Sequence, residues 1–278
     1  MKQNRMTDID QYLKSLYLSN PLREPVIRTA IESLRLPTGS HGLEAGCGIG
    51  LYTLLLAEAA GPGGHITGLD ITKEFLAKAR SLASQSALGD RISFREGDAN
   101  RLPFDENTFD WACSMDFVGV VRLDPVLLLK ELARVVKPGG IVFILIWSSQ
   151  MLLPGYPMLE ARLNATASGI APFATGMKPD LHFMRALGWF HRAGLIEPTV
   201  RTFVSDIHAP LSSEMRNALI ELFPMRWGEA HADVAPEDWA EYQRLCRADS
   251  PDFILNVPEY YAFFTNSLFC GNVVGVRS

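Results

Sequence analysis

The sequence predicts a doubly wound α/β fold, a parallel sheet with helices on both faces. Three observations predict it. Between His41 and Trp147, five short apolar runs alternate with three helical runs, the rhythm of right-handed strand–helix–strand crossovers. A glycine-rich turn sits directly between the first strand and the first crossover helix. The third observation is bulk: 278 residues with 47% hydrophobic and 21% charged residues are enough for a large core and too apolar for disorder.

The expected strands are His41–Ala45, His65–Asp70, Arg91–Glu96, Phe109–Ser114 and Gly140–Trp147. Helical runs at Leu51–Ala60, Lys73–Ser86 and Pro125–Val136 separate them. Before this core, the first forty residues read as two helices, one carrying Tyr12, Leu13, Leu16 and Tyr17, the other starting after Pro25. After it come a possible helix at Met158–Ala167 and a helix over Asp180–Ala193 closed by Gly194. A strand follows at Glu197–His208. A long helical stretch, Leu211–Tyr261, leads to an apolar, β-rich end at Phe263–Val276.

Composition excludes several functions. A net charge of -5, from 26 basic and 31 acidic residues, argues against a nucleic-acid-gripping role. The longest unbroken apolar run, Ile141 to Trp147, is too short to cross a bilayer. Met1 to Tyr12 lacks the apolar centre of a secretion signal. Cys47, Cys113, Cys246 and Cys270 form no CxxC pair, so a reducing cytoplasm is expected. His41, His65, His182, His191 and His231 show no metal-ligand spacing, and no metal is expected.

The chemistry concentrates at Leu43-Glu44-Ala45-Gly46-Cys47-Gly48-Ile49-Gly50. Glycines between a strand and a helix let the backbone turn with positive φ and admit a ligand against the chain. A dinucleotide fingerprint, G-x-G-x-x-G, would place its third glycine at position 51, which is Leu51. Glu44, ahead of the glycines, would repel a pyrophosphate and suits an ammonium. Asp70 closes the second strand about twenty residues on, where a carboxylate takes the hydroxyls of a ribose; a helix cap is the alternative use. Asp98 follows the third strand, placed to accept from the exocyclic amine of an adenine or to serve a turn.

Four segments in this order, LEAGCGIG (43–50), GLDIT (68–72), GDANRLPFDENTFD (97–110) and ELARVVKPGG (131–140), give the chain a resemblance to class I S-adenosylmethionine-dependent methyltransferases. The likeness is closest to the branch of ubiquinone and menaquinone biosynthesis and related small-molecule enzymes. It implies a Rossmann-like doubly wound sheet of seven strands, mostly parallel, with an antiparallel last strand beside the fifth. It implies S-adenosylmethionine as cofactor, with Glu44, Gly46, Gly48 and Gly50 around its methionine part. Asp70 would hold the ribose, Ile71 would lie against adenine, Asp98 and Ala99 would meet the adenine edge, and Ser114 would line the methionine end.

Residues 1–278 then form one methyltransferase domain. It has an N-terminal helical segment at 1–39, a cofactor-binding core at 40–147, insertions at 148–179 and 211–261, and a final strand at 262–278. The aromatic residues of 211–261 (Phe223, Met225, Trp227, Trp239, Phe253, Tyr260 and Tyr261) suggest a helical lid over an apolar or aromatic small molecule, or a packing layer. Methyl transfer is an in-line displacement that needs a base only if the acceptor must lose a proton. Asp116 and His208, at strand ends, are the candidate bases, with Phe117, Trp147 and Asp206 as further acceptor-side residues. The segment Cys113-Ser114-Met115-Asp116 is not the Asn/Asp-Pro-Pro-Tyr/Phe stretch of amide and exocyclic-amine methyltransferases, so the acceptor is expected to be a small molecule. A nicotinamide-dependent oxidoreductase and a cofactor-binding module without turnover stand as alternatives.

Overall fold

The computed structural model describes residues 2–116, 124–166 and 179–275, with side chains from residue 11 onward. Its strands are β1 (His41–Ala45), β2 (His65–Asp70), β3 (Ile92–Glu96), β4 (Phe109–Met115), β5 (Val136–Met151), β6 (Ile196–His208) and β7 (Tyr261–Asn272). Its helices are α1 (Lys2–Ser33), α2 (Leu51–Ala59), α3 (Lys73–Ser84), α4 (Pro125–Val135), α5 (Pro157–Asn164), α6 (Ala186–Arg192), α7 (Ser213–Trp227) and α8 (Pro236–Cys246). The strands form one seven-stranded sheet in the order β3-β2-β1-β4-β5-β7-β6.

β3, β2, β1, β4 and β5 are parallel throughout. β7 runs against β5, because Val273 exchanges backbone hydrogen bonds with Gly139 and Gly140 at one end while Ser148 meets Thr265 at the other. It also runs against β6, as the pairs Thr202–Ser267 and Glu197–Asn272 show. The sheet reverses its strand order at β1 and β4, and ligands of open α/β sheets bind outside the carboxyl ends of strands at such a point.

β1 and β2 have the expected bounds, and β3, β4, α2, α3 and α4 differ from expectation by one or two residues. The local causes are visible in α4. Asp124 accepts hydrogen bonds from the Val126 and Leu127 amides, Pro125 starts the helix, and Leu128, Leu129, Leu132 and Val135 are buried. Together with Leu43, Leu69, Phe109 and Ile144 they belong to the principal hydrophobic core.

Five segments differ more widely from expectation: the helix expected at Met158–Ala167 is α5, ending at Asn164, the strand expected at Phe263–Val276 is β7, Tyr261–Asn272, and three others differ in kind. The N-terminal part is one helix, α1, with Pro21 and Pro25 inside it. Leu22, Val26, Ile27, Ala30 and Ile31 are all buried, and that packing outweighs the hydrogen bonds the prolines cannot donate. The stretch 180–193 starts as two 3-10 turns before α6. The Asp180 carbonyl accepts from the Trp189 indole and His182 caps the second turn, so neither continues a helical ladder. β5 absorbs Lys137-Pro138-Gly139-Gly140 as an irregularity: Phe109 pairs with Val136, yet Trp111 pairs with Ile141.

By backbone contacts the chain forms two compact units. One comprises Ile27–Ile146, Pro179–Phe203 and Ser267–Ser278, the other Met1–Val26, Trp147–Lys178 and Val204–Asn266. The N-terminal segment and both expected insertions fall largely in the second. There Phe223, Trp227, Phe253 and Tyr260 are buried, with Phe223 stacked on Trp227 and edge-on to Phe253. Of the other residues in that expected aromatic set, Met225 and Trp239 are half-buried and Tyr261 is exposed.

In the first unit, Gly42 of β1 lies in register with Trp111 of β4. Trp111 is wholly buried, and its indole N–H donates to the Ser40 hydroxyl at 2.9 Å. A Cβ at position 42 would stand 2.1 Å from the indole ring. Gly42→Ala should therefore lower stability by about 1–3 kcal/mol through overpacking, read by urea denaturation. A variant as stable as the wild type would show that Trp111 moves aside freely.

Candidate cofactor site

The turn after β1 is fastened by its own backbone. The Gly46 and Cys47 amides both donate to the Leu69 carbonyl of β2, at 2.7 and 2.9 Å, and the Gly50 amide donates to the Cys47 carbonyl. The Gly48 amide donates to Asp70 Oδ2 at 2.9 Å, and the Thr72 amide donates to Asp70 Oδ1 at 2.8 Å. Asp70 is buried. One carboxylate thus fixes both the glycine turn and the entry to α3, while each of its oxygens keeps a lone pair for a ligand.

Two glycines of this turn do different work. Gly48 has φ +54°, and a Cβ there would meet nothing within 4 Å; its face is open. Gly50 has φ +77°, but its absent Cβ would lie 2.9 Å from the Phe94 ring and 3.1 Å from Ala79. Gly68 of β2 faces the same ring at 2.8 Å. Gly50, expected around the methionine part of a cofactor, thus also serves the packing of α2 on the sheet.

Ile71, next to Asp70, is 67% exposed, an apolar side chain available to lie against a flat ring. Asp98 is exposed, and its Oδ1 accepts both the backbone amide and the side-chain amide of Asn100 at 2.9 Å, leaving Oδ2 outside those bonds. Ala99 is buried. Glu131 and Arg134 of α4 hold this loop: Glu131 accepts the Leu102 amide, and Arg134 donates to the carbonyls of Leu102 and Phe104. At the end of β4, Ser114 is buried and its hydroxyl has no hydrogen-bond partner among the described residues.

Glu44 is buried in β1 at 1% exposure. Its Oε2 accepts the hydroxyl of Thr53, a buried residue of α2, at 2.5 Å. Burial pushes its carboxyl up to about 8, the Thr53 hydrogen bond opposes this, and the nearby Asp70 charge adds to it. Burial likewise raises the thiols of Cys47 and Cys113, with Glu44 contributing to both. Thr53 was not foreseen as a site residue. Its signal in the sequence is a threonine just ahead of the apolar run Leu54–Ala57, nine residues after Glu44.

The candidate bases fall in different units. Asp116 follows β4 with φ +51°, its amide donates to the Leu145 carbonyl, and it accepts the Tyr52 hydroxyl at 3.4 Å. Tyr52, on the first turn of α2, is a second residue that sequence reading missed. His208 ends β6 in the other unit, exposed, with Nδ1 3.2 Å from the Ala209 carbonyl. Asp206 is exposed there too. Trp147, buried, stacks on Phe264 at 4.2 Å with the Arg226 guanidinium 4.1 Å above its ring. Phe117 lies outside the described residues. Among the described residues, no group of three or more His, Cys, Asp or Glu side chains converges to hold a metal ion.

These residues fit an adenosyl group bearing an amino-acid end: an open turn at Gly48, a ribose-ready Asp70, an apolar Ile71, an unpartnered Ser114 hydroxyl and a buried Glu44. The amides of Gly46, Cys47, Gly48 and Gly50 are all engaged within the protein, so these four do not point at a ligand phosphate.

The fold and the residues of this turn resemble those of a class I methyltransferase domain over the core of the chain. Residues 43–144 match the family described as "Methyltransferase domain". The chain is similar to the demethylmenaquinone methyltransferase of Bacillus licheniformis, with 39% identity over 131 residues, 46% of this chain and 53% of that protein. A Staphylococcus aureus protein of the same name is 32% identical over 135 residues, 48% of this chain and 54% of its own length. The chain spans about half the length of these relatives. Among solved structures, the YcgJ protein of Bacillus subtilis aligns with a TM-score of 0.54 at 17% identity, covering 91% of this chain and 99% of that one. A SAM-dependent methyltransferase from Aquifex aeolicus aligns with a TM-score of 0.51 at 20% identity, covering 68% and 89%. At these identities the structures speak for the fold.

The state of Glu44 has a consequence for stability. A carboxyl raised from its ordinary 4.5 to about 8 in the folded chain stabilises the fold below pH 4.5. That contribution is lost as pH rises through 8, by at most about 1.4 kcal/mol per pH unit. Glu44→Gln stays neutral and should escape the loss. Denaturation at pH 5, 6.5 and 8 should show the wild type falling steadily relative to the variant; a difference constant with pH would contradict the buried neutral acid.

Proposed function

We propose that this chain transfers the methyl group of S-adenosylmethionine to a small, apolar or aromatic molecule by in-line displacement. The observation that carries the reading is the Asp70 carboxylate tied to the Gly48 turn, with Glu44 behind it and residues 43–144 matching a methyltransferase domain. When bound, S-adenosylmethionine supplies a methyl carbon made electrophilic by its sulfonium. Asp70 takes the ribose hydroxyls, Ile71 lies against the adenine with Asp98 and Ala99 at its edge, and Glu44 with Gly46, Gly48 and Gly50 receives the amino-acid end. Ser114 presents its hydroxyl to the same end.

The acceptor is proposed to be a flat, weakly polar ring system carrying a nucleophilic oxygen or carbon. Two relatives named demethylmenaquinone methyltransferase support this class. Residues 148–179 and 211–261 are proposed as acceptor-side segments of one catalytic domain. Nucleic acid is not the proposed acceptor, in keeping with the net charge of -5. Asp116 is the first candidate base, positioned by Tyr52; His208 is the second. The four cysteines are free and no helix among the described residues is long and apolar enough to cross a membrane, which supports a cytoplasmic place of action.

Titration calorimetry with S-adenosylmethionine tests the cofactor assignment. Asp70→Asn should weaken binding at least tenfold, about 1.4 kcal/mol, and an unchanged affinity would remove Asp70 from the site. Turnover is tested with a radiolabelled methyl donor and a panel of naphthols, naphthohydroquinones and catechols. Labelled product from at least one of them is expected. Asp116→Asn should lower kcat by 10²–10⁴, about the contribution of a positioned base, and His208→Ala by less than tenfold. Tight cofactor binding with no product from any acceptor class would favour a binding module instead.

A further inference from the structure

Glu44 is an unusual binding partner for a cation. Its carboxyl is almost wholly buried in β1. The charged and titratable groups near it are the Asp70 carboxylate from β2, which raises it further, and two thiols that its own charge raises, Cys47 from the glycine turn and Cys113 from β4, the latter in register with it. From α2 comes only the neutral Thr53 hydroxyl. Among the described residues no lysine or arginine pairs with Glu44. A buried carboxylate beside another carboxylate, with one hydroxyl to satisfy it, is expensive in free energy, and such a group neutralises instead.

We propose that the site recognises the amino-acid end of its ligand by proton exchange: Glu44 stands as a neutral carboxylic acid in the free protein and gives up its proton when a ligand ammonium is set against it. This rests on the cofactor reading above. The O–H bond of Glu44 breaks, its electron pair stays on the carboxylate, and the proton leaves to solvent. The ligand keeps its three N–H bonds, so the bound pair is carboxylate and ammonium. Burial pushing the Glu44 carboxyl up to about 8 agrees with this order of events, because at neutral pH the acid form prevails until a cation arrives.

Three consequences separate this exchange from ordinary charge pairing. Binding releases a proton. Affinity rises with pH below about 8, until the ligand amine itself begins to lose its proton. A ligand without the amino group gains neither effect, so the site discriminates by the ligand's ammonium as well as by its adenosine.

Calorimetry on the full chain tests it, with S-adenosylhomocysteine and 5′-methylthioadenosine as probes in phosphate and Tris buffers. At pH 7, S-adenosylhomocysteine should release close to one proton per site, since an acid with its midpoint near 8 is about 90% protonated there. Its affinity should rise about tenfold from pH 6 to 7. 5′-Methylthioadenosine should bind with no proton release and no such rise. Glu44→Gln, of the same shape, should bind 5′-methylthioadenosine as the wild type does, release no proton, and lose at least tenfold in affinity for S-adenosylhomocysteine.

Thr53→Val removes a hydrogen bond that favours the ionised carboxylate, and should move the pH at which release fades to a higher value. It serves if Glu44→Gln does not fold. S-Adenosylhomocysteine binding tightly with no proton release would overturn the exchange while leaving the cofactor reading intact. Failure of both probes to bind would overturn both.

Discussion

The Asp70 carboxylate is the constraint on which the cofactor region depends. It ends β2, and its two oxygens accept the Gly48 and Thr72 amides. Those two amides belong to consecutive crossovers, one at the turn into α2 and the other at the turn into α3. A glycine turn has no side chains to hold its shape, and this one gains its shape from outside. The Leu69 carbonyl, one residue earlier, takes two further amides of the turn. The end of a single strand therefore templates the adjoining loop and places a carboxylate beside the opening at Gly48.

The same arrangement explains why a second carboxyl is neutral. Asp70 accepts two backbone amides. Glu44, deeper in the sheet, has one hydroxyl and the field of Asp70. Two acids on neighbouring strands are thus given different surroundings, one pattern by which proteins divide roles between like residues.

Much of this was legible in the sequence. The alternation of apolar runs and helices gave β1 and β2 to the residue, and the glycine turn and Asp70 were singled out together, as the structure joins them, because these features depend on short-range spacing. What depended on distant partners was not legible. Thr53 looks like any helical threonine until β1 places Glu44 beside it. Pro25 reads as a helix break, yet buried neighbours carry α1 through it. Phe223, Trp227, Phe253 and Tyr260 read in sequence as members of a lid or of a packing layer, and only tertiary packing shows that these four are buried. Asp116 and His208 were chosen by the same rule, their position at strand ends, and that rule does not tell the two apart.

Phe94 illustrates how inheritance would act on such a structure. Its ring fills the space left by the missing side chains of Gly50 and Gly68, one in the cofactor turn and one in the middle of β2. None of the three is free to drift alone. A methyl group gained at either glycine demands a smaller residue at position 94, and a smaller residue there leaves a hollow between turn and sheet. Across descendants of this chain the three positions should change together or not at all, so the shape of the turn is recorded partly in a phenylalanine that belongs to a different strand.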